Sequence, residues 1–309
     1  MSQRICVTGA SGQAGRAVVA DLRQHGYDVV ATDLAVSRAD RDADMLQADL
    51  TDYGQAIEAL GSPHSTLWPV AAGAALTDEA RDALRGADAI VHLANIPAPG
   101  IAAPARTFND NMAMNFNVFW AAAALGVRRV VWASSETTLG LPFEVPPRYA
   151  PVDEDHYPVP TSTYALSKVA SETVAGHLAQ WSGIPFVALR FSNIMAPADY
   201  QAFGSFWPDP HARKWNLWGY IDERDAAAAC RLALTAPDTA VAGNPAFIIA
   251  AADTVMNRPS AELLAEVFPG TGLRRPVGEF ETLLSIDRAR EILGFEPAHS
   301  WRDHLPDTA

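Results

Sequence analysis

The sequence predicts an α/β fold: a doubly wound parallel sheet with a small lobe built from the C-terminal part of the chain. Three observations carry this expectation. Short apolar runs alternate with helical patterns as far as Phe191. The first run passes through a glycine-rich turn straight into a helix. After Asn193 the alternation breaks and aromatic residues crowd together.

With 309 residues, 49% apolar and 19% charged, the chain can bury a large core and does not read as disordered. A net charge of −13 argues against nucleic acid or an anionic membrane as partner, while a few local cations could still hold an anionic small molecule. The two cysteines, Cys6 and Cys230, form no Cys-x-x-Cys pair, so neither a disulfide framework nor a thiolate zinc site is implied. The eight histidines include no His-x-x-x-His pair, and no metal site is expected. The N-terminus runs into a strand-like segment without a signal peptide, and no apolar run approaches membrane-spanning length. A cytoplasmic protein is expected.

Arg4-Ile5-Cys6-Val7-Thr8 is the first strand, and Ala17, Val18 and Leu22 mark the helix that follows Gly9-Ala10-Ser11-Gly12-Gln13-Ala14-Gly15. Glycine has a physical reason at each place. Gly9 permits the tight turn, Gly12 lets the backbone approach a pyrophosphate at the helix N-terminus, and Gly15 lets helix and strand pack closely. The spacing is Gly-x-x-Gly-x-x-Gly. A second strand, Val29-Val30-Ala31-Thr32, ends at Asp33. A carboxylate there can accept from both hydroxyls of an adenosine ribose and repels a 2′-phosphate, which favours NAD over NADP. Met45-Leu46-Gln47-Ala48 is a third strand, and Asp49 after it is placed to meet an adenine amino group.

Residues 51–86 read as a helix, a loop around Ser62-Pro63, an extra strand at 66–71 and a second helix from Asp78 to Leu84. The continuous apolar run Ala89-Ile90-Val91-His92-Leu93-Ala94-Asn95 reads as a buried parallel strand. A helix at 106–125 carries Asn111, Asn115 and Asn117, an unfavourable composition unless at least one has a partner. Val130-Val131-Trp132-Ala133-Ser134-Ser135 is the next strand, a Pro-rich acidic loop covers 140–161, and Phe186-Val187-Ala188-Leu189-Arg190-Phe191 is the sixth strand. In such a sheet ligands bind at the carboxyl ends of strands, where the glycine turn, Asp33, Ala94-Asn95, Ser134-Ser135 and Ser192-Asn193 all fall.

Between these strands lies Ser162-Thr163-Tyr164-Ala165-Leu166-Ser167-Lys168, a capped helix start. Tyr164 and Lys168 are four apart and share a face. The spacing predicts an ammonium that lowers the phenol's pKa toward working pH, suiting Tyr164 to exchange a proton with an alcohol. Beyond residue 195, Phe203, Phe206, Trp207, Trp215, Trp218 and Tyr220 surround His211, Arg213 and Lys214. These aromatics suit either the core of a small lobe or stacking on a sugar ring or base. Helices at 222–235, 260–267 and 286–293 and a strand at 246–250 complete the chain.

Taken together, these motifs resemble the extended short-chain dehydrogenase/reductase family, in its NAD-dependent nucleotide-sugar epimerase/dehydratase branch. The likeness spans most of the chain. Thr8-Gly9-Ala10-Ser11-Gly12-Gln13-Ala14-Gly15 resembles the family's turn, His92-Leu93-Ala94-Asn95 its His-Leu-Ala-Ala strand end, and Ser134-Ser135 with Tyr164-x-x-x-Lys168 its catalytic set. The resemblance implies a Rossmann-type NAD domain over 1–190 and mainly a substrate-binding lobe over 191–309, with segments that return to the core. It implies Tyr164 as acid/base, Ser135 steadying the same oxygen, Lys168 tuning the phenol and holding the nicotinamide ribose, and Asn111 supporting them. Implied NAD contacts are Gly9, Ser11, Gly12, Gln13, Gly15, Asp33, Asp49, Leu50, Leu93, Ala94, Asn95, Ser134, Phe191 and Ser192, beside Tyr164 and Lys168. Glu136, Asn193 and Arg213 fall on the substrate side, with Arg213 facing an anionic group.

The expected substrate is a sugar or sugar acid, and the expected assembly a homodimer through the helices at 106–125 and 162–181. Departures narrow the chemistry. Glu136 matches one acid of the dehydratase pair but Thr137 replaces the other, so elimination is the weaker option. Leu139 and Met195-Ala196 also replace usual residues, so the substrate side differs from that of typical epimerases. The short lobe is similar to that of uronate dehydrogenases, which makes net oxidation of a free sugar or uronate the alternative to epimerisation. A catalytically silent NAD sensor is the alternative from another class, and it has no need of the Tyr164, Lys168 and Ser135 set.

Overall fold

The computed structural model of the protein describes residues 2–37, 45–61 and 86–304. The loop at Ser62-Pro63, the strand at 66–71 and the helix from Asp78 to Leu84 lie outside the described residues. The central sheet contains β1 (Arg4–Thr8), β2 (Asp28–Asp33), β3 (Met45–Gln47), β4 (Ala89–His92), β5 (Arg129–Ser135), β7 (Phe186–Phe191) and β10 (Ala246–Ile249). The two-residue strands β6 (Tyr149–Ala150) and β11 (Gly272–Leu273) pair with each other, as do β8 (Ile194–Met195) and β9 (Ile221–Asp222).

All sheet pairings are parallel, in the order β10-β7-β5-β4-β1-β2-β3. The chain moves outward from β1 through β2 to β3, then crosses back to β4 on the other side. That reversal leaves a crevice beyond the carboxyl ends of β1 and β4, where Thr8 is in register with His92.

Alternation along the strands explains why both faces are covered. Ile5 and Val7 of β1 join one buried cluster while Cys6 joins the other; Val131 and its neighbours Val130 and Trp132 divide the same way. On one face helix α1 (Gln13–Gln24) packs against α5 (Glu223–Thr235). On the other, α2 (Tyr53–Gly61), α3 (Pro104–Leu125) and α4 (Thr163–Ser182) pack in series. Ser162 caps α4 as expected, accepting from the Ala165 N–H at 3.1 Å. Helices α6 (Ser260–Val267) and α7 (Asp287–Leu293) follow.

The aromatic segment after residue 195 is largely core. Tyr200, Phe203, Trp218 and Tyr220 are buried in the same cluster as β1 and β7, and Trp207 donates to the Val255 carbonyl at 3.1 Å. Trp215 differs in reaching the cleft beyond the sheet.

The glycine turn is the tightest junction. A Cβ on Gly15 would run into the Gly9 carbonyl oxygen and lie 2.7 Å from the Ala10 Cα, backbone atoms that cannot swing aside. Gly15→Ala is therefore expected to lower stability by about 1–3 kcal/mol through overpacking. Urea denaturation checks this: the midpoint falls with an unchanged slope, and an unshifted midpoint contradicts the close helix–strand contact.

Candidate active site

A cleft of about 910 Å³ opens at the carboxyl ends of the sheet strands. Its walls gather the glycine turn, Asp33, Asp49-Leu50, Leu93-Ala94-Asn95, Ser134-Ser135-Glu136, Tyr164, Lys168 and Phe191-Ser192-Asn193. These residues come from segments far apart in the chain, and the strand ends bring them together.

The turn is shaped for a ligand's close approach. Gly9 has φ of 71°, and a Cβ there would sit 2.6 Å from the Ala94 amide nitrogen. Gly12 caps α1 with no side-chain bond, leaving the first-turn N–H groups turned outward. Asp33 accepts from the Ser11 N–H at 2.9 Å and the Leu34 N–H at 2.7 Å. It thus ties turn to strand and keeps acceptor capacity, because a carboxylate offers about four lone-pair sites. Asp49 accepts from the Thr51 N–H at 2.9 Å and its hydroxyl at 2.7 Å, so its carboxylate first fixes its own loop.

Tyr164, Ser135 and Lys168 are all buried beside one another. The Ser135 hydroxyl hydrogen-bonds the phenol, and Thr137 donates to Ser135 from its N–H at 3.2 Å and its hydroxyl at 3.0 Å. The Lys168 Nζ stands 5.6 Å from the Tyr164 ring centre. The expected lowering of the phenol's pKa is absent in the protein alone. Burial, aided by the Glu136 carboxylate, pushes Tyr164 up to about 12 against the Ser135 hydrogen bond. Burial likewise pushes Lys168 down to about 7 against the Glu172 carboxylate. The ammonium donates to the Asn95 Oδ1 at 2.8 Å and the Ala133 carbonyl at 2.7 Å.

Three other expected site residues have partners that the sequence did not show. Asn111 is fully buried and is not among the cleft residues; its Oδ1 accepts from the Ile96 N–H at 2.8 Å and its Nδ2 donates to the Ile96 carbonyl at 3.1 Å. It braces the loop after β4 instead of the lysine. Ser134 lies on the cleft wall, but its hydroxyl donates to Glu172 at 2.6 Å, beside the two-pronged Arg190–Glu172 pair at 3.0 and 2.8 Å. Arg213 is buried and does not line the cleft. Its guanidinium stands 4.9 Å from the Trp215 ring and 5.3 Å from that of Phe206 and donates to the Gly219 carbonyl at 3.3 Å. With the Asn193 amide turned to match, Oδ1 accepts from Arg213 Nη2 at 3.2 Å. In the protein alone the Nη atoms of the guanidinium are bonded within the wall, while Nε is buried without a partner.

Glu136 does face the cleft. It is buried, accepts from Asn216 Nδ2 at 3.2 Å and is pushed up to about 7 by burial, against the polar groups of Ser192 and Asn216 and the charge of Arg213. Asn111, Asn115 and Asn117 of α3 all have partners, Asn117 through the Leu50 and Thr51 carbonyls at 3.0 and 2.9 Å. Residues missed from sequence include Asn216, for which no local signal exists. Arg106 and Asp110 also line the cleft, paired at 3.0 Å, and their i,i+4 spacing was a readable signal.

Comparisons with known proteins give the family and the fold. The model of the NAD dependent epimerase/dehydratase family matches residues 5–250. The UDP-glucose 4-epimerase of Lacticaseibacillus casei is 25% identical, with 99% of this chain and 95% of that protein aligned. In fold, the chain is similar to a short-chain dehydrogenase/reductase superfamily protein from Agrobacterium tumefaciens crystallised with bound NAD, at a TM-score of 0.68 and 24% identity over 97% of this chain and 94% of the other. A mutated uronate dehydrogenase shares the fold at a TM-score of 0.64 and 20% identity, over 100% of this chain and 87% of the other.

The raised Glu136 carboxyl has a stability consequence. Between its usual range near 4.5 and about 7, the folded protein keeps a proton that the unfolded chain releases, so stability falls as pH rises through that window. Glu136→Gln removes this dependence. At pH 8 its melting temperature is expected to exceed the parent's by roughly 2–5 °C, a gain that fades below pH 5. Melting curves across that range check it; a gain independent of pH contradicts the assignment.

Proposed function

The chain belongs to the NAD-dependent epimerase/dehydratase family, and on that premise we propose that it transfers hydride at a carbohydrate hydroxyl through bound NAD, with Tyr164 as acid/base. The observation that carries this reading is the convergence of Ser135, Tyr164 and Lys168 on the cleft that also contains the glycine turn and Asp33. The donor set fits the cofactor. Backbone N–H groups at the start of α1 suit a pyrophosphate, the spare acceptor sites of Asp33 suit the ribose hydroxyls, and Lys168 suits the second ribose. Bound NAD supplies the hydride acceptor and, when oxidised, a positive charge at the site.

Tyr164 takes the proton of the reacting hydroxyl as that carbon is oxidised and returns it on reduction. A phenol at about 12 holds its proton until positive charge gathers beside it, and the Lys168 ammonium is the chain's own contribution to that charge. Ser135 donates to the same oxygen as charge develops on it. Glu136 and Asn193, both on the cleft wall, face the sugar. With Thr137 in place of a second acid, elimination lacks one of its two proton-transfer groups, and epimerisation or net oxidation is the better fit.

The outer faces of α3 and α4 support a homodimer. Phe116 and Trp120 are exposed and stacked with ring centres 6.1 Å apart, and Leu166 and Trp181 are exposed on α4. No helix among the described residues is long and apolar enough to cross a membrane.

Titration calorimetry is expected to show NAD binding more tightly than NADP, with Asp33→Ser narrowing the gap; equal affinities in the parent overturn the role of Asp33.

A panel of free sugars, uronates and nucleotide sugars tests the reaction. Isomer change without net NADH marks an epimerase, steady NADH release a dehydrogenase, and either upholds hydride transfer at a carbohydrate. On the substrate so found, Tyr164→Phe is expected to lose on the order of 10²-fold or more in turnover while it keeps NAD binding. A panel that stays inert while steroids or aliphatic alcohols react removes the carbohydrate assignment.

A further inference from the structure

A line of polar side chains, buried except for the half-buried Asn95, runs from the end of β1 to the lysine. The Lys168 ammonium donates to the Asn95 Oδ1 at 2.8 Å. The Asn95 Nδ2 donates to the Asn115 Oδ1 at 2.8 Å and to the Ala94 carbonyl. The same Asn115 oxygen lies 2.9 Å from His92 Nε2, while His92 Nδ1 lies 2.7 Å from the Thr8 hydroxyl. An acceptor at Nε2 makes the ring the Nε2–H tautomer, so Thr8 donates to Nδ1. Burial pushes His92 down to about 3, which keeps the ring neutral. Asn115 also donates to the Ser171 hydroxyl at 2.7 Å. Asn95 is therefore clamped from behind, and its oxygen is left to point at one cation.

We propose that Asn95 is the positioning residue for Lys168: its carboxamide, braced by Asn115 and His92, holds the ammonium at the carboxyl end of β4. The proposal rests on the reading above only where it gives Lys168 a part in turnover. Asn111, the asparagine expected in this role, is committed to Ile96 and to Ser167 at 3.4 Å. The family strand end that β4 resembles carries Ala at this position, which offers no side-chain acceptor. Without Asn95, the acceptor left among the ammonium's hydrogen bonds is the Ala133 carbonyl. A buried ammonium with fewer acceptors gives up its proton more readily, in keeping with the depression to about 7 that burial already causes.

The other charged or titratable groups around the lysine can be named. Tyr164 and Glu172 share its helix, one turn before and one turn after. Arg190 on β7 is paired with Glu172, and Glu136 after β5 acts on Tyr164. His92 on β4 stays neutral, and α3 contributes Asp110 to the cleft wall beside the neutral Asn111 and Asn115.

The chain has only two lysines, Lys168 and Lys214, so the ammonium can be watched directly. Carbon-13 labelling at lysine Cε gives two resonances, and Lys214→Arg assigns them. Asn95→Ala is expected to move the Lys168 titration down and Asn95→Asp to move it up, each by about one pH unit or more, with Lys214 unmoved. The alkaline limb of turnover should follow in the same directions. A titration that stays put in both folded variants overturns the proposal. Should Asn95→Asp not fold, Asn95→Ala decides alone, since its titration must fall. Titrations that move while the alkaline limb stays fixed uphold the hold by Asn95 and overturn the part given to Lys168 in turnover.

Discussion

Burying an ammonium is costly, and much of the site is arranged around making one tolerable. Lys168 lies where β4, β5 and α4 meet. Each contributes something: a carboxamide oxygen just beyond β4, a backbone carbonyl from β5 and the Glu172 carboxylate one helical turn along α4. Glu172 cannot drift, because Arg190 grips it with two hydrogen bonds and Ser134 with a third. The parallel sheet thus serves the lysine as well as the cofactor cleft. It sets the register that brings Ser134 opposite Arg190 and His92 opposite Thr8.

Much of this was legible in the sequence, and the boundary of legibility is physical. The strands, the glycine turn and the capped start of α4 follow from local period and backbone chemistry, so their positions could be read to within a residue or two, except that the strand expected to run on to Asn95 ends at His92. The convergence at strand ends followed from parallel topology alone. Roles that depend on contacts between distant segments could not be read. Asn95 meets Lys168 across 73 positions of sequence, and Asn216 meets Glu136 across 80. Asn111, Asn115 and Asn117 on α3 looked equivalent in the sequence. Helix rotation then gave Asn111 to a loop, Asn115 to the buried line and Asn117 to the carbonyls after β3.

Tyr164 was read as if its charge state were set by the nearest opposite charge, and Arg213 as a cation free to meet an anion. In both, burial comes first. The guanidinium is depressed by desolvation before Glu136 raises it, and the phenol is raised by desolvation before Ser135 lowers it. Inside a low-dielectric wall, the loss of water outweighs a single neighbour. Glu136 reports the same physics from the acid side.

The route of the chain through the sheet limits how this protein can be taken apart. After β7 it leaves to build the lobe, then returns with α5 and with β10, which completes the sheet edge beside β7. The lobe's aromatics share one buried cluster with β1 and β7. No cut in the chain frees one half without stripping the other of a strand, a helix or its core. The molecule should therefore melt as one unit, and ligand seated in the cleft should steady both halves together.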